Sequence, residues 1–307
     1  MMVVTVTLNA ALDVTYDVEA LVPHATHRVL EVRTRAGGKG VNVARVLRQL
    51  GRDTVVTGLA GGHTGTLIRA DLAASRLADA LVPINGESRR TLAIVSRRDG
   101  GATLLNEPGP QVRAGEWTRF LVRFDRLLAA AQAVVLSGSL PVGVPTSAYA
   151  DLVQAAHDHG LPALVDAEGE ALHAVLLAAP DVVGPNAAEL RATTGHDDPA
   201  LGAEALLRAG ARAVVASLGP DGLLAMTDAG AWRAAPPEVV LGNPTGAGDA
   251  TMAALADGLA GDRPWPEILR EAVAVSAAAV FLPVAGGFDP TAYRRFRDAI
   301  TVRPLGS

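Results

Sequence analysis

Residues 242–251 read GNPTGAGDAT and stand directly before a helix-forming run, MAAL, at residues 252–255. Glycines just before a helix leave several backbone N–H groups free and pointing the same way, and with the helix dipole these groups form an anion site. Asp249 lies where the helix is expected to begin. An aspartate there acts as an N-cap or as a base beside a bound anion, and the pattern alone does not separate the two.

A second glycine-rich stretch, RAGGKGVN at residues 35–42, carries the only lysine among the 27 basic residues of the chain. Lysine places a compact charge at the end of a slim stem, whereas arginine needs room for a planar fork. Glycines on either side of Lys39 therefore suit an anionic or polyhydroxyl ligand that lies close to the backbone. A lysine left by chance in an arginine-rich chain is the alternative interpretation.

The composition limits the classes of protein to which the chain can belong. The chain has 307 residues, 49% of them hydrophobic, which allows one large α/β domain or two smaller ones. It has no cysteine, so disulfides and thiolate metal sites are excluded, and its net charge of −5 predicts no nucleic-acid partner. The apolar runs are short, and the N-terminus lacks the pattern of a signal peptide. We therefore expect a cytoplasmic protein without a membrane partner.

The order of the predicted elements indicates an α/β fold. A strand at 3–9, a helix at 40–50 and a strand at 55–60 come first. From residue 116 helices alternate with short buried strands. The predicted helices are 116–131, 146–159, 169–178 and 199–209, the strands 134–136, 163–165, 181–183 and 213–216, and a hairpin through 228–230 and long helices from 248 and 266 follow. This alternation predicts a mostly parallel sheet covered by helices on both faces.

Four further stretches alternate apolar and polar side chains, which predicts strands with one wet face: residues 12–18, 28–35, 90–97 and 102–106. The Asp99-Gly100 pair marks a hairpin between the last two. These strands do not fit inside a parallel sheet. We expect a small lid sheet, inserted at approximately 12–35 and 88–107 into a single domain of residues 1–307. An apolar face left over on the lid predicts a homodimer through it.

Seven motifs occur in the chain in one order: TLNAALD (7–13), GGKGVN (37–42), GGHTG (61–65), SGSLP (137–141), PNAAE (185–189), SLGPDG (217–222) and the glycine-rich stretch before Asp249. On these motifs the chain resembles the ribokinase-like sugar kinases of the phosphofructokinase B group, and within it 1-phosphofructokinases and tagatose-6-phosphate kinases. The resemblance extends from residue 3 to about residue 290. It implies a three-layer α/β/α fold with a β-sheet lid, and ATP and Mg²⁺ as cofactors.

The resemblance also implies roles for individual residues. Asp249 would take the proton of the acceptor hydroxyl, while the free amides of Gly246, Ala247 and Gly248 hold the charge of the transferring phosphoryl group. The sugar phosphate would bind to Asp13, Gly37, Gly38, Lys39, Asn42, Arg89 and Ser139. Among these, Lys39, Arg89 and Ser139 are expected at its phosphate. Simple turn roles for Asp13 and Ser139 remain the alternatives.

For the nucleotide, the resemblance implies a set of backbone and side-chain contacts from two loops: Asn186, Glu189, Ser217, Leu218, Gly219, Pro220, Asp221 and Gly222. Glu189 would organise Mg²⁺ through water, since Mg²⁺ keeps several waters. The alternative for Asn186 and Glu189 is a helix-capping pair.

Two residues depart from the family pattern. Gly184 stands where relatives usually have a lysine that contacts nucleotide phosphates, and Ala10 stands where they usually have proline. The first change removes a positive charge, for which Arg191 is a candidate replacement.

The leading prediction is ATP-dependent phosphorylation of a phosphorylated ketohexose, fructose-1-phosphate to fructose-1,6-bisphosphate. The alternatives are a tagatose-6-phosphate or fructose-6-phosphate kinase, a ribokinase or nucleoside kinase, and a weakly active regulator that binds sugar phosphates.

Overall fold

The computed structural model describes residues 2–305, which form 14 strands and ten α-helices. The strands are β1 (Met2–Thr7), β2 (Ala11–Val18), β3 (Val29–Gly37), β4 (Asp53–Gly61), β5 (Ala78–Ile84), β6 (Arg89–Ser96), β7 (Ala102–Asn106), β8 (Ala133–Ser137), β9 (Ala163–Asp166), β10 (Val182–Val183), β11 (Ala213–Ser217), β12 (Leu223–Thr227), β13 (Gly230–Ala234) and β14 (Val302–Pro304). The helices are α1 (Lys39–Gln49), α2 (Gly62–Ala74), α3 (Ala114–Leu128), α4 (Ala148–Asp158), α5 (Gly169–Leu176), α6 (Ala187–Thr194), α7 (Pro199–Arg208), α8 (Ala247–Ala260), α9 (Trp265–Ala279) and α10 (Pro290–Ala299).

The larger sheet has ten strands in the order β5-β4-β1-β8-β9-β10-β11-β12-β13-β14. The strands from β5 to β11 are parallel, and β12, β13 and β14 continue the sheet as antiparallel strands. Parallel strands require crossover connections, and helices supply them on both faces. The predicted three-layer α/β/α architecture is confirmed.

Successive residues of the central strands pack into two separate hydrophobic cores. Val4 of β1 packs in a core with Phe120 of α3 and Tyr149 of α4. Val3, the neighbouring residue, packs on the other face with α1, α8 and α9. Because side chains alternate across a strand, a strand covered on both faces is buried at every position, and residues 3–7 of β1 and all five residues of β8 are buried, their threonines and serine included.

The lid is confirmed as a separate four-stranded sheet in the order β3-β2-β6-β7. Strands β2 and β6 run parallel, and the two outer pairs are antiparallel. The register places Val14 beside Leu92 and Tyr16 beside both Val32 and Ile94, on one face of the sheet. That face is incompletely covered, since Val32 is 56% exposed.

Several elements were not predicted. Helix α2 buries only four residues and has little amphipathic character, so its sequence shows no clear helical period. Strand β5, helices α6 and α10 and strand β14 were also not assigned. Among residues 2–305, no helix combines the length and the apolar character needed to cross a membrane.

Gly58 explains how closely β1 and β4 approach each other. It pairs with Thr7 and has φ +143°, and a Cβ atom there would lie 1.9 Å from the carbonyl oxygen of Thr7. We predict that Gly58→Ala lowers the free energy of unfolding by about 3 kcal/mol or more, because it combines a backbone clash with left-handed strain. Denaturant unfolding followed by circular dichroism measures this loss.

Gly51→Ala is the matched control. Gly51 also has a positive φ, +81°, but a Cβ there would meet nothing within 4 Å. Only the left-handed strain applies, which costs about 1–2 kcal/mol. Equal losses in the two variants would contradict the steric explanation.

Candidate active site

Five polar residues lie along the carboxyl edge of the larger sheet, and three of them, Ser139, Asn186 and Ser217, are residues predicted for function. Asn9 follows β1, Ser139 follows β8, Asp166 ends β9, Asn186 follows β10 and Ser217 ends β11. In open parallel sheets, ligands bind in the crevice outside this edge. The topology therefore brings residues from distant parts of the chain to one cleft.

Asp249 occupies the third position of α8 and is buried, with 6% of its surface exposed. Its Oδ2 accepts a hydrogen bond of 2.9 Å from Nδ2 of Asn42, in the first turn of α1. Gly246, at φ +86°, is the residue that precedes the helix, and no side chain caps it. Asp249 is therefore not an N-cap, and its carboxylate faces the start of the other glycine-rich helix.

The surroundings of Asp249 adjust its acidity. Burial and, second to it, the nearby Asp166 carboxylate raise the pKa of this carboxyl to about 7, against the opposing effects of the Asn42 hydrogen bond and of Lys39. A carboxylate whose pKa lies near neutral pH is well suited to accept a proton during a reaction.

Lys39 forms an ion pair with Asp166, whose Oδ1 lies 2.9 Å from the lysine Nζ. Burial alone would lower the pKa of Lys39, but the carboxylates of Asp166, Asp249 and Glu189 outweigh it and hold that pKa above its ordinary value. Lys39 is thus a fixed cation in the cleft. Asp166 was not among the predicted residues, although a carboxylate directly after a buried parallel strand was an available signal.

The amides at the start of α8 differ from the expectation in one respect. The N–H of Ala247 donates to the carbonyl oxygen of Pro244 at 3.1 Å, so the prediction that this amide is free is wrong. In the described part of the chain, the amides of Gly246, Gly248 and Asp249 have no acceptor. Three free donors therefore remain at this helix start, and a Cβ at Gly248 would meet no atom within 4 Å. Their role as an anion hole stays a prediction.

Arg89 and Ser139 both form a hydrogen bond with Asn9. The Nε of Arg89 donates to the carbonyl oxygen of Asn9 at 3.1 Å, and Nδ2 of Asn9 donates to Oγ of Ser139 at 3.1 Å. The hydroxyl of Tyr149 donates to the carbonyl oxygen of Gly138 at 2.8 Å and fixes the turn that carries Ser139. The predicted pair is thus brought together. Asn9 and Tyr149 are supporting residues that sequence reasoning missed.

Asp13 projects from lid strand β2 toward the same cleft. Burial raises the pKa of Asp13 to about 6, opposed by the positive charges of Arg35 and Arg89. A Cβ at Gly37, on the neighbouring strand, would lie 2.1 Å from Cγ of Asp13. Gly38 has φ +102° and precedes α1. The glycine pair therefore makes room for the Asp13 carboxylate and turns the chain into the helix that carries Lys39 and Asn42.

The residues predicted for the nucleotide adjoin one another. Asn186 and Ser217 form an isolated parallel bridge between the loops that follow β10 and β11. A single 3₁₀ turn, Gly219–Asp221, continues from Ser217. Asn186 and Glu189 also cap α6 reciprocally, with both bonds at 2.9 Å, which is the capping arrangement that the sequence allowed. Their nucleotide role stays a prediction.

The structure gives a steric reason for glycine at position 184. A Cβ at this position would lie 2.6 Å from Sδ of Met252 in α8, so a lysine fits only if the methionine moves. The candidate replacement, Arg191, has its Nη1 3.6 Å from Oδ1 of Asp197 and is well exposed. Contact between Arg191 and a nucleotide phosphate stays a prediction.

The Asn42 hydrogen bond predicts a specific change in acidity. Asn42→Ala removes a donor that favours the ionised Asp249, so the pKa of that carboxyl should rise above about 7. The carboxyl ¹³C chemical shift of Asp249, followed by NMR across pH 5–9, measures the change. Thr66→Ala, on the exposed face of α2, is the control and should leave the titration unaltered. An unchanged or lowered midpoint in the Asn42 variant would refute the assignment.

The chain is similar to known proteins over almost its whole length. A phosphofructokinase-2 mutant from Escherichia coli has a TM-score of 0.91 at 29% identity, covering 97% of this chain and 98% of that one. A protein described as a possible 1-phosphofructokinase from Thermotoga maritima has a TM-score of 0.90 at 28% identity, covering 99% and 100%. Ribokinase from Arabidopsis thaliana, at 21% identity and a TM-score of 0.76 over 96% and 98%, shares the fold. Residues 5–291 match the pfkB family of carbohydrate kinases, and the chain belongs to that family.

Proposed function

We propose that this kinase transfers the γ-phosphoryl group of ATP to a phosphorylated ketohexose, converting fructose-1-phosphate to fructose-1,6-bisphosphate in the cytoplasm. The observation that carries the proposal is the buried Asp249 carboxylate beside three free amides at the start of α8. The phosphofructokinases among its structural relatives support a phosphorylated fructose as the substrate class.

In this proposal Asp249 accepts the proton of the acceptor hydroxyl. The hydroxyl oxygen forms a bond to the γ-phosphorus as the bond from that phosphorus to the leaving ADP oxygen breaks. Charge on the transferring group is held by the amides of Gly246, Gly248 and Asp249, which need no rearrangement to do so. Lys39 lies in the field of both Asp249 and Glu189, which favours a place at the transferring phosphoryl group over the substrate's existing phosphate.

The sugar phosphate is assigned to the other end of the cleft. Arg89 and Ser139, held together by Asn9, supply a cation and a hydroxyl for a phosphate group. The Asp13 carboxylate accepts hydrogen bonds from sugar hydroxyls. An unphosphorylated sugar would leave Arg89 without a partner anion, which argues against a ribokinase or nucleoside kinase. The same residues would serve tagatose-6-phosphate or fructose-6-phosphate.

ATP is assigned to the loops after β10 and β11, with the six residues from Ser217 to Gly222 along one side. Among residues 2–305, no group of three or more histidine, aspartate or glutamate side chains is placed to hold a metal ion. In the proposal Glu189 would hold Mg²⁺ through water, since Mg²⁺ keeps several waters. When bound, Mg²⁺ would neutralise phosphate charge.

The direct experiment is Asp249→Asn. The variant keeps the size of the side chain but loses the proton acceptor, so we predict that kcat falls about 10²–10⁴-fold while the KM for the sugar phosphate stays within about threefold. A coupled assay of ADP release measures both constants. A variant that retains more than a tenth of the wild-type kcat would contradict the role of Asp249 as the base. Wild-type protein that binds sugar phosphates yet releases no ADP would instead identify a regulator.

Arg89→Ala tests the assignment of the sugar phosphate. Loss of a charge-assisted hydrogen bond costs about 1.5–3 kcal/mol, so the KM for fructose-1-phosphate should rise roughly 10- to 150-fold while the KM for ATP changes little. Arg90→Ala is the matched control, since Arg90 is the next residue of the same strand and its side chain is exposed. Equal increases in both KM values for Arg89→Ala would count against the assignment.

We also propose a homodimer through the apolar face of the lid. Val14, Tyr16, Leu92 and Leu105 line an open hollow of about 300 Å³ on this face. Burying exposed apolar side chains favours association. Val32→Asp combined with Leu105→Asp should convert a dimer at micromolar concentration into a monomer, as measured by sedimentation. Val122→Asp, an equally exposed valine on α3, is the control. A wild-type monomer would contradict the proposal.

A further inference from the structure

A second cationic groove lies on the side of α1 that faces away from the larger sheet. It has a volume of about 340 Å³ and is bounded by Arg35 at the end of β3, Arg45 and Arg48 of α1, Ser75 and Leu77 after α2, and Gly286 of the loop before α10. None of these residues has a role in the proposed phosphoryl transfer.

The groove carries more positive charge than its neighbours balance. Arg45 pairs with Asp71 and donates to Oγ of Ser75 at 2.6 Å. Within residues 2–305, no carboxylate lies within 4 Å of Arg35 or Arg48, and neither side chain makes a hydrogen bond. Asp71, in contact with Arg45, and Asp13, a more distant charge near Arg35 and Arg45, therefore stand against three guanidinium groups.

The inner end of the groove is where unpartnered polar atoms converge. A Cβ at Gly286 would lie 3.2 Å from Nη2 of Arg35 and 2.9 Å from both Cδ of Arg45 and Oδ1 of Asn42. Nε of Arg45 is a buried donor without an acceptor, whereas Oδ1 of Asn42, which also lacks a partner, can only accept and offers nothing to an anion. Glycine at this position keeps the end of the groove open. The loop that carries it is held in place by Gln49, whose amide bonds both the N–H and the carbonyl of Phe288.

The energetics favour an anion in this space. Two partly buried guanidinium groups repel each other, and burial together with Arg45 lowers the pKa of Arg35. Guanidinium forks match the geometry of phosphate oxygens and bind them bidentately. A dianion in the groove would balance the surplus charge of Arg35 and Arg48. Leu77 also borders the groove beside the charged groups.

We propose that this groove is a second anion-binding site, which adjoins the cleft at Asp249 across the Asn42 side chain but is built from other residues, and which takes a dianionic phosphate group either free or carried on a small metabolite. Arg35, Arg45 and Arg48 bind the phosphate oxygens, and Gly286 provides the space at the inner end. The proposal does not depend on the identity of the sugar substrate.

The test uses full-length protein in an Arg89→Ala background, which weakens phosphate binding in the main cleft. Isothermal titration calorimetry with inorganic phosphate, and separately with glycerol 3-phosphate, should detect one site. Adding Arg48→Glu or Arg35→Gln should weaken that binding at least tenfold. The control is Arg208→Glu, which makes the same change in net charge as Arg48→Glu at a similarly exposed position outside the groove. The tighter of the two probes identifies the source of the phosphate.

Phosphate binding that persists unchanged in both groove variants would overturn the proposal. An equal loss in Arg208→Glu would also overturn it, because the effect would then be one of net charge alone. Arg48 is exposed, so its substitution should leave the fold intact, and the circular dichroism spectrum checks this. If Arg89 does not bind the sugar phosphate, the KM for the sugar will not rise in Arg89→Ala. The comparison of phosphate binding between the groove variants and Arg208→Glu can still be interpreted in that case.

Discussion

Burial of the Asp249 carboxylate is the constraint on which the rest of the cleft depends. A carboxylate removed from water is costly unless hydrogen bonds and cations offset the loss of hydration. Here one amide hydrogen bond from Asn42 and the nearby Lys39 provide the offset, and Asp166 fixes the lysine. The compensation is partial, which keeps the pKa of Asp249 near neutral instead of near 4. A stronger partner would leave the carboxylate a weaker base.

This constraint links the two glycine-rich stretches. Asn42 and Asp249 are 207 residues apart in sequence, yet their side chains bond because α1 and α8 pack together on one face of the sheet. The starts of both helices must then lie at the carboxyl edge of the strands, beside the loops after β9 and β10. The lid strands β2 and β6 add Asp13 and Arg89 to the cleft. Fold and site therefore form a single arrangement, in which apolar strands position a small set of charged groups.

Much of this arrangement could be predicted from the sequence, because it depends on local patterns. Buried strands alternating with helices from residue 116 predicted the parallel sheet, and polar alternation at 12–18 and 90–97 predicted the lid. The capping pair Asn186 and Glu189 was also visible as a motif. Family resemblance predicted the reaction class, that of a sugar kinase, which is confirmed, whereas the roles it implies for individual residues stay predictions.

What the sequence could not supply depends on contacts between distant residues. The pairing of Lys39 with Asp166 spans 127 positions and depends on how the fold brings the end of β9 to the start of α1. The engagement of the Ala247 amide depends on the geometry of one turn at Pro244. Gly184 looked like a lost phosphate contact, whereas the structure shows that Met252 fills the adjacent space. Helix α2 escaped prediction because its few buried residues leave no clear period.

The central claim is that the cleft transfers a phosphoryl group to a sugar that already carries a phosphate. The most direct measurement is the rate of ADP release from ATP across matched pairs of substrates: fructose with its 1- and 6-phosphates, tagatose with its 6-phosphate, and ribose. We expect kcat/KM for a ketohexose phosphate to exceed that for the unphosphorylated sugar by roughly 10- to 150-fold, the value of one charge-assisted contact. Equal or faster turnover of the unphosphorylated sugars would contradict it.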